Sequence, residues 1–229
     1  SGDDEVTSAV LSMFGQKDLE GFNTVNNKLL RYLVSHDDIN INNSVWYSTD
    51  FCQLNKDYPT RMNRLFYADV NGVEFAEPEA RNLMNAWVYD KTNGRINNFI
   101  KKTWPFDLTY FINTLQFGAD WFSSFAATAT NKADFKGMTY TSEVDMMYKR
   151  ERAKYIEADD YCMLNMQVGD WSSMSLILPN EGVDIMDLSE RFTYDDWKRS
   201  MDASEFYAVH LYLPRLSIKT DIDLIEAYK

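Results

Sequence analysis

Asp107-Leu108-Thr109-Tyr110-Phe111-Ile112-Asn113-Thr114-Leu115-Gln116-Phe117-Gly118-Ala119-Asp120-Trp121 is the stretch on which the fold turns. From Leu108 to Phe117 it is rich in β-branched and aromatic residues, carries no Gly or Pro, and stops at Gly118. Phe111, Leu115 and Phe117 share one parity, and Leu108, Tyr110 and Ile112 share the other. A strand apolar on both sides wants cover on both sides, so the reading is a central strand. Asn113 sits in its middle. An amide left unpaired in a core costs about 1–3 kcal/mol, so Asn113 is expected to hydrogen-bond to a neighbouring element.

Working outward, Pro78 opens the best-marked helix, with Glu77 and Glu79 at its amino end and Asn93-Gly94 as its stop. Leu83 with Trp87 and Met84 with Val88 are i,i+4 pairs that give it one broad apolar face, expected to lie on the sheet that holds Leu108 to Phe117. Upstream, residues 3–14 read as a short helix. Asp18 then opens a longer one, with Leu19, Phe22, Val25, Asn26, Leu29, Leu30 and Leu33 as its stripe. Ile39 to Tyr47 reads as strand, Asn55 to Tyr67 as helix, and Asp69 to Phe75 as a short strand broken at Asn71-Gly72.

Beyond Trp121 the pattern is a polar connection to Asp134-Phe135, then strand over Met138 to Met147. Ala153 to Ile156, Cys162 to Val168 and Met174 to Leu178 follow as an antiparallel meander. Ile185 to Met201 is helical in two pieces around Thr193, and Phe206 to Leu224 reads as two strands hinged at Pro214. Helices first and strands through the second half make the class α+β, with mixed or antiparallel sheets.

The chain has 229 residues, enough for one sizeable core, and its formal charge is −12. That charge argues against a nucleic-acid partner or an anionic membrane surface, both of which want clustered Lys and Arg. No apolar run approaches the ~20 residues of a membrane span. The two cysteines, Cys52 and Cys162, lie far apart and decide nothing about redox compartment. Asn42-Asn43-Ser44 matches a glycosylation sequon but falls in a strand, where it reads as chance.

Catalytic patterns are sparse. His36, in Ser-His-Asp-Asp, reads as a turn residue, and His210, between Val209 and Leu211, as a structural histidine in a strand. No G-x-S-x-G elbow, zinc-ligand spacing or phosphate-binding glycine loop is present. Asp90-Lys91-Thr92-Asn93-Gly94 is a helix end and not a calcium loop, and Asp195-Asp196 reads as solvated surface. The expectation is a protein that is not an enzyme, with no catalytic or metal-binding residues and no cofactor.

Several collinear blocks resemble the serpin family of protease inhibitors. Ala86-Trp87-Val88-Tyr89-Asp90-Lys91-Thr92-Asn93-Gly94-Arg95-Ile96 resembles the family's N-x-W-V-x-x-x-T-x-G-x-I run, and residues 113–121 resemble its N-A-x-Y-F-x-G-x-W strand. Val144-Asp145-Met146-Met147 is similar to V-P-M-M, with Asp145 in place of Pro. Residues 175–182 resemble the strand ending L-P-x-E-G, and Leu213-Pro214-Arg215-Leu216-Ser217-Ile218 with Asp223-Leu224 resembles L-P-K-F-x-I followed by Y-D-L.

The resemblance implies a serpin-like α+β fold: helices packed on a large mixed sheet, plus smaller antiparallel sheets. It implies a serine-type endopeptidase inhibitor of the suicide-substrate class, whose cleaved reactive loop inserts into the main sheet. Its target is a serine protease, less often a cysteine protease, in an extracellular, cell-surface or periplasmic setting. By the same resemblance, Asn113 lies where the sheet parts and Trp121 where the loop first enters. Arg215 pairs with a carboxylate of the loop hinge, and Trp87 belongs to the helix that shifts as the new strand passes.

The match begins near the family's third helix and stops before the hinge, so residues 1–229 are expected to be one serpin domain truncated at both ends, without the reactive loop. An isolated chain would then self-associate through uncovered edges. Only Lys17, Lys28 and Arg31 lie on or beside the helix after Asp18, a poor match to heparin-regulated members. The alternative function is a non-inhibitory relative acting as a binding or assembly protein.

Overall fold

The computed structural model describes residues 4–220 and 222. The chain divides into two compact units, Ser1–Gly118 and Ala119–Lys229.

In the first unit, α1 (Asp4–Met13) and α2 (Leu19–Val34) precede β1 (Ile39–Ser48). Asp18 caps α2 by accepting a hydrogen bond from the Gly21 amide. The apolar stripe expected on α2 is only half covered: none of its residues is fully buried, and Leu19, Val25 and Leu29 remain exposed. A polar tie supplements the half-covered stripe, the Asn27 amide donating to the carbonyls of Arg64 (3.2 Å) and Leu65 (2.9 Å) on α3 (Tyr58–Phe66). Pro59 sits in the first turn of α3, where its missing N–H costs nothing.

Strand β2 (Ala68–Val73) runs unbroken through Asn71-Gly72, which corrects the expected interruption. A Cβ at Gly72 would stand 2.8 Å from the Thr49 side chain and 2.9 Å from the Tyr47 ring, so the glycine marks a close approach and not a turn. β2 pairs in parallel with β1, and β1 pairs antiparallel with β3 (Thr109–Phe117), giving a mixed sheet of order β2-β1-β3.

Helix α4 (Pro78–Lys91) covers one face of this sheet. Its Ala80, Met84 and Val88 pack against Trp46, Val73, Phe75 and Ile112 to form the core, with Trp87, Ile100 and Tyr110 at its margin. The buried stripe is narrower than expected, since Leu83 stays exposed. The helix ends where Asn93-Gly94 foretold, both residues taking positive φ.

In the second unit the sheet is antiparallel throughout. A 3-10 turn at Ala127–Ala129 leads into β4 (Thr130–Lys136), which hairpins to β5 (Thr141–Glu157). β6 (Tyr161–Val168) and β7 (Ser172–Pro179) continue the order β4-β5-β6-β7, and β8 (Glu205–Pro214) pairs with β5. Two expectations change here. The stretch read as a polar connection contains β4, and the strands expected at 138–147 and 153–156 are one strand of 17 residues. Charged residues of β5 between Met147 and Ala153 hid its continuity, because β8 pairs with it across that interval.

Helices α5 (Ile185–Arg191) and α6 (Tyr194–Ala203) break at Thr193 as expected. Asp196 is more than surface charge. Thr193 and Asp196 form a reciprocal capping box, and hydrogen bonds from the Thr193 hydroxyl and amide, with Arg199 beside them, hold the Asp196 carboxyl below its ordinary range. After Pro214 residues 215–220 form no strand, and the rest of the second strand expected there falls mainly on residues outside those described.

Candidate functional site

Strand β3 is the feature the sequence pointed to, and its surroundings differ from expectation in one respect. Among the described residues it is the last strand of its sheet, not a central one. Its inward parity, Ile112 and Thr114, is buried, whereas Phe111 is 74% and Leu115 66% exposed on the outward side. Two apolar parities mean that a strand is suited to cover on both sides; they do not say that the same stretch of chain supplies it. The far edge of β3 has no strand partner among the described residues, so its outward N–H and C=O groups form a template for a further strand.

Asn113 is correspondingly exposed, and it finds the neighbouring element expected of it. Its amide donates to Asn43 Oδ1 at 2.8 Å and more weakly to the Asn42 carbonyl at 3.4 Å. Asn43 in turn donates to the Phe66 carbonyl at 2.7 Å, where α3 ends. This relay ties the open strand, the middle strand and one helix together. A shallow cavity of about 290 Å³ lies beside it, between Met62 and Phe66 of α3 and Phe111 and Asn113 of β3.

The opposite parity of β1 does the same work for α4. Asn42 donates to Thr114 Oγ1 (3.2 Å) and to Asn40 Oδ1 (2.9 Å), and Asn40 to the Lys91 carbonyl (3.3 Å) at the end of the helix. Sequence reasoning missed this function of Asn40, Asn42 and Asn43. The signal was present, because asparagine is depleted in strands and three in one strand call for a reason. The sequon at Asn42 lies in β1 with its amide already engaged.

Trp87 stands half-buried on α4, with its indole N–H donating to Asp69 Oδ2 at 2.9 Å. At the entry to β3, the Tyr110 hydroxyl donates to Asp107 Oδ2 at 2.6 Å. Burial first, then this carboxylate, push the Tyr110 phenol up to about 12. Trp87 and Asn113 thus belong to one unit, on opposite faces of the same small sheet.

Trp121 and Arg215 belong to the other unit. Trp121 bridges Val168 in backbone pairing and meets Phe125 edge-on at 5.5 Å. Beneath the pair lies Lys149, whose ammonium donates to the Ser123 carbonyl at 2.7 Å, ion-pairs with Glu151, and sits 4.6 Å from the Phe125 ring centre. Arg215 is exposed. Its backbone N–H donates to the Asp145 carbonyl at 2.9 Å, and its guanidinium has no ion pair among the described residues. Of the histidines, His36 bonds the Tyr32 carbonyl at 2.8 Å and His210 the Tyr148 hydroxyl at 2.8 Å.

Among the described residues, β3 thus presents an open edge beside an apolar row, a surface that suits strand addition. The chain belongs to the serpin family: the family model described as serpin (serine protease inhibitor) matches residues 3–229. Members of that family are in general inhibitors of proteases and not enzymes.

Antichymotrypsin-2 of Bombyx mori is 30% identical over 192 residues, 78% of this chain and 50% of its own length. Alaserpin of Manduca sexta is 31% identical over 183 residues, 76% of this chain and 46% of its own. Among solved structures, cleaved Serpin 42Da matches with a TM-score of 0.84 at 22% identity, over 92% of this chain and 58% of that one. The chain spans about half the length of the curated relatives it matches. No described helix is long and apolar enough to cross a membrane.

Proposed function

We propose that the intact protein inhibits a serine protease, less often a cysteine protease, as a one-use suicide substrate in an extracellular setting. The target attacks a reactive loop, which lies in the part of the family's length that these residues do not span. The protease serine oxygen takes the scissile carbonyl, the amine leaves, and the resulting ester stays on the loop. The loop then adds as a strand beside β3 before water can release the enzyme.

The observation that carries this reading is β3 itself, with an edge that has no strand partner among the described residues and Phe111, Leu115 and Phe117 open beside it. Asn113, tied to Asn43 on the paired side, is assigned to the point where the sheet opens, and Trp87 to the helix that must accommodate the change. In the second unit, Trp121 is assigned to the point of first entry and the guanidinium of Arg215, which has no ion pair among the described residues, to a hinge carboxylate.

Chymotrypsin and trypsin serve as probes. Incubation with the intact protein is expected to give a one-to-one adduct that survives boiling in detergent. The rival reading, a non-inhibitory relative that assembles through the open face of β3, requires cleavage without adduct and sedimentation as an oligomer.

A further inference from the structure

In the second unit the pairing of β5 with β8 sorts their side chains onto two faces. Ala153, Val209 and Leu211 turn to the core with Leu164 and Met166. The alternate positions form the other face, on which Tyr148 pairs with Tyr212, Arg150 with His210, Arg152 with Ala208 and Lys154 with Phe206. This face carries cations and aromatic rings and no carboxylate. Arg150, Arg152, Phe206, His210 and Tyr212 are exposed.

Among the described residues, Arg150, Arg152 and Lys154 have no ion pair. The Arg152 guanidinium lies 5.6 Å from the Phe206 ring centre, and the Tyr148 hydroxyl bonds His210 while its ring packs 4.8 Å from Tyr212. In a chain of formal charge −12, three uncompensated cations in line on one strand are a local reversal of sign.

We propose that the outer β5–β8 face docks an acidic segment of a protein partner. Same-face residues on a strand recur every ~6.6–6.8 Å, so Arg150, Arg152 and Lys154 form a row with that repeat. An extended peptide presents its alternate side chains at the same repeat, which lets carboxylates at every second position meet successive cations while its backbone rests on Phe206 and Tyr212. A nucleic acid brings a phosphate with every nucleotide into the field of a strongly acidic chain, whereas a short acidic segment confines its charge to the row. The surface does not depend on the inhibitory reading and is tested without a protease.

The probe is a dye-labelled peptide of about ten residues with glutamate at every second position, followed by anisotropy against the full chain at low and at ~150 mM salt. Saturable, salt-sensitive binding is expected, weakened about tenfold in the Arg150→Gln/Arg152→Gln variant. It should be unchanged in Arg31→Gln/Arg64→Gln, which removes exposed cations of α2 and α3. Circular dichroism confirms that both variants fold. Absence of saturable binding, an equal loss in the two variants, or tighter binding of a single-stranded oligonucleotide of the same charge would each overturn the proposal.

Discussion

Replacing Phe75 by alanine is expected to lower the stability of the first unit by about 3–5 kcal/mol. Phe75 lies two residues beyond β2 and is 1% exposed, among Trp46, Met84, Val88 and Ile112. Its ring centre lies 5.1 Å from that of Tyr110, so the truncation removes an aromatic contact and opens a cavity where α4 meets the sheet. Backbone on both sides is fixed by strand pairing and by the first turn of α4, which limits collapse into the void. Urea unfolding followed by the tryptophan emission of the chain reads the loss. Phe106→Ala, at a ring that is 80% exposed, is the control and should change stability by less than about 0.5 kcal/mol. Equal midpoints for the two variants would contradict the packing described.

The second large effect belongs to Lys149. Its side chain is 7% and that of Glu151 16% exposed, and they face the same side of β5 under Trp121 and Phe125. Glu151 Oε2 depends on that lysine, since it is buried with no hydrogen bond apart from the ion pair. Lys149→Met leaves that carboxylate without a counter-charge and removes the donor to the Ser123 carbonyl, a loss expected at about 3–5 kcal/mol. Lys149→Met/Glu151→Leu removes both charges and should recover most of it, because two buried ions cost nearly as much in lost hydration as their attraction returns. A double variant as unstable as the single one would mean that the ammonium's contacts to the rings and to Ser123, and not the ion pair, dominate.

The residues announced the elements far better than their neighbours. Helix α4 was legible at both ends, because Pro78 and Asn93-Gly94 are local chemistry. Thr193 divided α5 from α6 for the same reason. Strand β3 was legible as a strand, and Asn113 as a residue needing a partner, but the edge position of β3 was not. Parity reports what a face wants and carries no information about which segment supplies it. Gly72 misled because the usual meaning of Asn-Gly is a turn, and the close approach of Tyr47 that demands glycine is a tertiary fact. β5 was split because the consecutive charged residues Lys149 to Arg152, on both parities, look like a turn until the partner strand β8 is known.

The site was partly legible in a different way. The resemblance singled out Asn113, Trp87, Trp121 and Arg215, and the structure puts the first two in the first unit and the other two in the second, each in a setting of its own. It also adds what no motif carried: the asparagines of β1 that fasten α3 and α4, and the Lys149–Glu151 pair beneath Trp121.

The claim that β3 receives a further strand is tested most directly by amide hydrogen exchange over Thr109–Phe117, before and after protease cleavage of the intact protein. The expected result is that amides facing the free edge, which exchange readily beforehand, become protected by at least about tenfold once the loop is cut. Exchange over Thr109–Phe117 that is the same before and after cleavage would contradict it.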